Sequence, residues 1–489
     1  MALFRDYFSG VARGVVGVLA ILAVSACKTP GRGANHDGGS ELLQAPDDEV
    51  KLNEFQYETD PTFLKALGSR VGCRQAGDYA VLPASGSMKR AIEGIYAAKI
   101  PYDFMQQELF NSPKTAATCA AMGNMPQREN TDGMRDLINK AKAKNIGITF
   151  IMVGGFGSHL TEDGALSDSR ALWAQTFAPE IESKHFRIVR HECLPNSYAS
   201  DEICSPKLIE KFKSLDAETG GMEHRYLLWG YSKGGTTILH ALGLSPELRE
   251  KTLALISLGS PIAGGLPIDI AYPLLESLAQ RRAELTPMDR TLLNTLIAFG
   301  AGGGLEVQAQ STMAKMAELL EEAQFDVLRG GFRSILPGVR KPYLFSTVKN
   351  WDFSRNTMDP LTSRKEIPLL HVGAALDVGK LRAVPVMTVD SNNRIVPQQS
   401  SQDLNHLSEL AMLGTFKRHP VSDSCVALEH AVIPKNAVPR GATTALLGVL
   451  NLDHMSLGFS KPSVEAESVP RVEIVDALIE SASQKIGVN

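Results

Sequence analysis

The sequence predicts an α/β fold: a doubly wound, mostly parallel sheet with helices on both faces and a helical cap inserted into it. Three observations predict this. Short continuous apolar runs recur, of the kind a central parallel strand shows when both of its faces are buried. From about residue 136 these runs alternate with helix-forming stretches, which is the pattern of strand–helix–strand crossovers. One run leads through Gly230-Tyr231-Ser232-Lys233-Gly234-Gly235 directly into a further helix.

The elements follow in order. Arg135 to Lys144 reads as a short helix, and Gly147 to Val153 (GITFIMV) as a buried strand that runs into Gly154-Gly155-Phe156-Gly157. A helix is expected around Arg170 to Glu182, a strand over Phe186 to His191 and a helix over Pro206 to Leu215. Arg225 to Trp229 is a strand, Thr236 to Leu244 a helix and Leu253 to Leu258 a strand. The alternation then stops. Ile270 to Arg281, Asp289 to Ile297 and Gln308 to Ala323 are three helical stretches with no strand between them. They predict a helical cap at about residues 266–345. Ile367 to Gly373 and Val384 to Val389 resume the strand pattern, and Pro470 to Ser483 reads as a closing helix. Residues 51–135 carry little signal. They are expected to supply first strands or a helical extension.

Composition bounds the function. The chain has 489 residues, a net charge of −4, 44% hydrophobic and 21% charged residues. With so small a charge and no long basic run, nothing electrostatic points to nucleic acid. Phosphate-cradling and zinc-binding spacings are missing from the sequence, so no metal and no organic cofactor is expected.

The N-terminus predicts export. Arg5 and Arg13 precede an apolar run from Val15 to Ala26, which is too short to cross ~30 Å of hydrocarbon as a helix and therefore reads as a signal peptide. It ends Val24-Ser25-Ala26-Cys27, which resembles the bacterial lipobox. That resemblance implies a signal peptide over 1–26, acylation of Cys27, and a bacterial cell-envelope location. Lys28 after the cysteine implies the outer membrane. Residues 27–55 are polar and Gly-rich at their start and read as a tether, with the folded part over 56–489. Export makes disulfides available. Cys193 with Cys204 and Cys73 with Cys119 are the candidate pairs, leaving Cys425, with all-free thiols the alternative.

The residues that carry chemistry centre on Ser232. A strand–Gly-x-Ser-x-Gly–helix turn forces the serine into strained backbone, and Gly230 and Gly234 are required where a Cβ would clash with the crossing chain. The helix that follows aims its N-terminus at the site and favours developing negative charge. These residues resemble the α/β-hydrolase superfamily, and its lipase and esterase branch in particular, over roughly residues 146–460. The resemblance implies a serine nucleophile at Ser232. It implies an oxyanion hole built from the backbone N–H groups of Phe156 and Lys233. Gly154 stands where lipases often carry histidine. Leu258-Gly259-Ser260-Pro261 resembles a turn common in lipases after the next strand. Asn451-Leu452-Asp453-His454 resembles the segment that holds the catalytic histidine, so His454 is the expected base; His371 and His430 are its rivals.

Two aspartates compete for the acid. Ser422-Asp423-Ser424-Cys425-Val426 resembles the lipase pattern around the acid, with Ser424 in place of glycine. In Val384 to Pro397 the position expected for the acid is Asn393, which carries no charge, and Asp390 is the substitute. Asp423 is favoured, with Asp390 the alternative. The resemblance thus implies a carboxylic ester hydrolase with an ester or lipid-like substrate, held at the membrane by a lipid anchor. Two other readings remain: an inert, surface-anchored binding protein on a hydrolase fold, and an acyltransferase using the same serine.

Overall fold

The computed structural model describes residues 60–82, 110, 113–122, 132–156, 185–193, 197–265, 272, 276, 322–376, 387–389, 395–397, 421–423, 425–452, 454–457 and 470–487. In chain order the elements are α1 (Pro61–Val71), α2 (Cys73–Tyr79), β1 (Ala80–Val81), α3 (Pro113–Met122), α4 (Asp132–Ala143), β2 (Gly147–Val153) and β3 (Phe186–His191). Then come α5 (Asp201–Ala217), β4 (His224–Tyr231), α6 (Lys233–Leu244), α7 (Pro246–Lys251), β5 (Thr252–Leu258), α8 (Glu322–Ser334) and α9 (Pro337–Ser346). The chain closes with β6 (Ile367–Ala374), β7 (Met387–Val389), β8 (Ile395–Pro397), β9 (Ala442–Leu450), α10 (His454–Leu457) and α11 (Arg471–Ile486).

Seven strands form one sheet in the order β1-β9-β6-β5-β4-β2-β3. Every pairing is parallel except β1 with β9. The chain runs from β2 out to β3 and then returns past β2 to begin β4 on its other side. The strand order therefore reverses between β2 and β4. In open parallel sheets, sites form at the carboxyl ends of the strands at such a switch point. The carboxyl ends here are Val153 and Tyr231, so the topology alone points to the two Gly-rich turns singled out by the sequence.

Alternation along each strand feeds two cores. On β2, Ile148, Phe150 and Met152 face one helical layer, whereas Ile151 and Val153 face the other. The first layer holds Phe63 and Leu67 of α1, Leu137 and Ile138 of α4, and Ile474 and Leu478 of α11. The second holds Leu208 and Phe212 of α5, Ile238 and Leu242 of α6, and Leu344 of α9. Two helix ends show why the elements stop where they do. Asp60 accepts from the N–H of Thr62 at 2.8 Å and Pro61 opens α1, whereas Gly487 takes the left-handed conformation (φ 87°) after α11.

The structure differs from the sequence reading at several places. β9, which directly precedes His454, was not expected from the sequence. Its first residues, Ala442 to Ala445, are small and only partly buried or exposed, and only Leu446 to Leu450 is fully buried. Within Val384 to Val389, the described part, β7, pairs antiparallel with β8 as a separate two-stranded sheet and does not join the main one. Residues 60–82 and 113–122 supply three helices and one short edge strand. Both candidate disulfides form, Cys73–Cys119 and Cys193–Cys204. The expected helices over Arg170–Glu182, Ile270–Arg281 and Asp289–Ile297, and nearly all of Gln308–Ala323, lie outside the described residues, as do residues 1–59 with Cys27. Among the described residues no helix is long and apolar enough to cross a membrane.

Candidate active site

Ser232 sits between β4 and α6 with φ 52° and ψ −129°. That conformation is costly for a residue with a Cβ and persists only where the surroundings impose it. They do so here through glycines. A Cβ on Gly230 would overlap Gly235, and a Cβ on Gly234 would overlap the carbonyl of Val153 at the end of β2. The N–H of Ser232 donates to Leu258 O at 2.9 Å and ties the turn to β5.

His454 lies across from it, at the first residue of α10. Its Nε2 is 2.9 Å from Ser232 Oγ and its Nδ1 is 2.7 Å from Asp423 Oδ2. A carboxylate can only accept, so Nδ1 carries the proton and Nε2 is left to accept from the serine hydroxyl. Asp423 is buried, and its other oxygen is pinned. Oδ1 accepts the N–H groups of Cys425 at 2.8 Å and Val426 at 2.6 Å, which leaves Oδ2 aimed at the imidazole. The Asp423 backbone also accepts from the N–H of His454 at 2.8 Å. The segment around it is itself held in place. The N–H of Leu376 reaches Ser422 O, that of Leu428 reaches Val421 O, and Ser422 bridges Ala427.

On the other side of Ser232 runs the turn after β2. A Cβ on Gly155 would lie 2.8 Å from that of Ser232, so only glycine lets this turn approach so closely. Lys233 opens α6, where first-turn N–H groups have no partner within the helix. Among the described residues no backbone acceptor engages the N–H of Phe156 or of Lys233. Their side chains are turned away from Ser232 into the protein. The Lys233 ammonium is buried 3.7 Å from Asp201 Oδ1 and 3.4 Å from Cys204 Sγ, and stands 5.8 Å from the centre of the Phe156 ring. Burial holds its pKa below the ordinary lysine value, opposed by the charge of Asp201. Asp201 also accepts from Thr237 Oγ1 at 2.8 Å, Thr236 Oγ1 at 3.2 Å and Arg340 Nη1 at 3.2 Å. The Phe156 ring packs against Tyr198 and, edge-on, against Phe332 of α8, with centroids 5.3 Å and 5.0 Å away.

The structure thus brings together Ser232, His454, Asp423, Phe156 and Lys233. Asp390 lies outside the described residues. The rival histidines are occupied elsewhere: His371 is buried in β6 with its Nδ1 2.7 Å from Ser257 Oγ and its pKa pushed down to about 3 by burial, and His430 is buried in a short 3-10 turn. Two residues of the site were not recognised as such in the sequence. Gly259 has φ 54°, and a Cβ there would sit 3.1 Å from Asp423 Oδ2 and 3.5 Å from His454 Nδ1. The Leu-Gly-Ser-Pro turn therefore clears the space in which acid and base meet. Tyr231 stacks its ring on His454 and donates its hydroxyl to the His454 carbonyl at 2.7 Å. Its signal, an aromatic residue just before the serine, was present but does not by itself say what it touches. Among the described residues no group of His, Cys, Asp and Glu could hold a metal ion.

The parallel sheet, its switch point and the glycine-walled serine turn after β4 together make an α/β-hydrolase fold. No protein-family profile matches the sequence, and no curated protein matches it. Solved structures with which it aligns include a metagenomic carboxyl esterase, at 14% identity over 70% of this chain and 75% of that one, with a TM-score of 0.36. A soluble variant of monoglyceride lipase from Saccharomyces cerevisiae aligns at 10% identity over 70% and 86%, with a TM-score of 0.26. A thermostable carboxyl esterase from Bacillus coagulans aligns at 9% identity over 62% and 82%, with a TM-score of 0.22.

Proposed function

We propose that this chain is a serine hydrolase of carboxylic esters, with Ser232 as nucleophile, His454 as base and Asp423 as acid. The observation that carries this reading is the bond chain Asp423 Oδ2–His454–Ser232 Oγ, 2.7 Å and 2.9 Å long, ending on a serine held at positive φ. A serine hydroxyl is a weak nucleophile until a base removes its proton. Nε2 takes that proton as Oγ attacks the ester carbonyl. Asp423 holds the imidazole tautomer and offsets the imidazolium charge. The N–H groups of Phe156 and Lys233 donate hydrogen bonds to the developing oxyanion. Collapse expels the alcohol, which takes the proton from Nε2. Water, deprotonated by the same nitrogen, then releases the acid and restores Ser232.

Hydrolysis of p-nitrophenyl esters of graded acyl length tests the reaction and reads the chain-length preference. The wild type hydrolyses them and Ser232→Ala does not; equal rates in the two would end the proposal. Added alcohols separate hydrolysis from acyl transfer, because a transferase would yield new esters in place of free acid. The inert-binding reading has no use for a proton-relay geometry.

We infer in addition that residues 1–26 are a lipoprotein signal peptide and that acylated Cys27 anchors the enzyme to the bacterial envelope, at the outer membrane. The support is the Val24-Ser25-Ala26-Cys27 string followed by Lys28. Radiolabelled palmitate should enter the wild type and not Cys27→Ala; incorporation into both would place the lipid elsewhere or nowhere specific.

A further inference from the structure

We propose that Tyr231 is a positioning residue that locks the base in register with the nucleophile. The inference rests on the reading of Ser232 and His454 as nucleophile and base. Two separate contacts converge on one residue. The Tyr231 ring lies against the imidazole of His454 with centroids 5.4 Å apart and planes 30° from parallel. The Tyr231 hydroxyl donates to the His454 carbonyl at 2.7 Å.

Each contact removes a different freedom. The hydrogen bond fixes the start of α10, a helix of only four residues (His454–Leu457) that has little rigidity of its own. The stacked ring limits rotation of the imidazole about its bond to Cβ, a torsion that is otherwise broad. Asp423 holds Nδ1 at the edge of the ring and also accepts from the backbone N–H of His454. The imidazole is thereby held by two partners that approach from different parts of the chain.

Tyr231 is also bonded covalently to Ser232. Its backbone is the last residue of β4, paired with Leu258 of β5, so its position is set by the centre of the sheet. Any small shift of the strand end carries the nucleophile and the clamp on its base together. Gly259 also lies at this corner, where its missing Cβ leaves the acid–base contact room but supplies no grip. Reacting groups misplaced by about 1 Å can lose about a hundredfold in rate, so a residue that preserves this alignment acts on the chemical step. An interaction that aligns the base and never touches substrate changes kcat and leaves KM in place.

The test uses the full chain and three proteins: wild type, Tyr231→Phe and Tyr231→Leu. Each is assayed for kcat and KM on p-nitrophenyl butyrate, for inactivation rate by a fluorophosphonate, and for Tm. Phe keeps the ring and loses the hydrogen bond, so kcat should fall about 3- to 10-fold. Leu loses both contacts, so kcat should fall about 30- to 300-fold. KM should stay within about twofold in both, and phosphonate inactivation should slow in parallel with kcat. Partial recovery in Phe relative to Leu is the signature of positioning by the ring. Wild-type kcat in both variants, or a rise in KM with kcat unchanged, overturns the inference. Should Tyr231→Leu fail to fold, Tyr231→Phe decides alone: an unchanged kcat refutes the hydroxyl clamp. Ser232→Ala run alongside keeps the two readings apart. A dead Ser232→Ala with fully active Tyr231 variants removes this inference and leaves the proposed function standing. An active Ser232→Ala removes both.

Discussion

The two neighbours of Ser232 face opposite ways and are held by opposite means. Tyr231, half-buried against the first core, lies over the base through a ring contact and one hydrogen bond between neutral groups. Lys233 turns inward, and its ammonium is buried with Asp201, Arg340, Thr236 and Thr237. The difference is instructive. On the base side a proton has to move, so fixed charge is confined to the acid and alignment comes from shape. On the side of the proposed oxyanion hole nothing moves, and a buried charge network can hold the start of α6 rigid.

The largest test of this asymmetry is on the acid. Asp423→Asn keeps the shape and removes the charge, and kcat should drop by roughly 10⁴-fold, as expected when the base loses its tautomer partner. Asp390→Asn should leave kcat within about threefold. The reverse pattern in steady-state assays would transfer the acid role and dissolve the base side as described.

The inward side should answer in stability. Asp201→Asn strands the Lys233 and Arg340 charges in a buried site, at a cost of about 3–5 kcal/mol, read as a lower midpoint in urea. Lys233→Met removes one charge while Arg340 still pairs with Asp201, so its cost should be clearly smaller. Equal losses from the two would show that the network acts by packing and not by charge.

Gly259→Ala sharpens the comparison at the corner where acid and base meet. The positive φ and the new Cβ beside Asp423 should cost about 1–2 kcal/mol and lower kcat several-fold with KM unchanged. Unchanged kinetics would mean that the relay tolerates crowding there.

The smallest effect belongs to a site remote from both neighbours. Asp476 of α11 is half-buried, its Oδ1 has no hydrogen-bond partner among the described residues, and desolvation raises its pKa from 3.8 to about 7. A raised folded value means that the fold binds the proton more tightly than the unfolded chain. The contribution is therefore complete below pH 3.8 and is lost as pH rises through about 7. Asp476→Asn should raise Tm at pH 8 and leave it nearly unchanged at pH 4. His191 and His371 act in the opposite sense. Burial lowers them from 6.5 to about 4 and about 3, so their contribution holds above pH 6.5 and is lost as pH falls. Thermal melts across pH 4–8, with and without the Asp476 carboxyl, separate the two trends.

Much of this site was legible in the sequence because its local rules are strict. A serine at positive φ between a buried strand and a helix needs glycines at fixed offsets, and Gly230 and Gly234 stand there. The distance from Asp423 to His454 along the chain, 31 residues, was short enough to favour that pair. Two features stayed hidden for physical reasons. β9 begins with Ala442, Thr443, Thr444 and Ala445, small residues that are not fully buried, so its run of large apolar residues is short. The contacts of Tyr231 and Gly259 depend on where α10 and the segment around Asp423 fold back, and no local pattern encodes that.

The most direct measurement is the site of covalent labelling. The intact protein is treated with a fluorophosphonate and digested, and the adduct is located by mass spectrometry in wild type, Ser232→Ala and His454→Ala. The account predicts one adduct, on Ser232, in the wild type, none in Ser232→Ala, and labelling slowed by orders of magnitude in His454→Ala. An adduct on another residue, or wild-type labelling of His454→Ala, would contradict it.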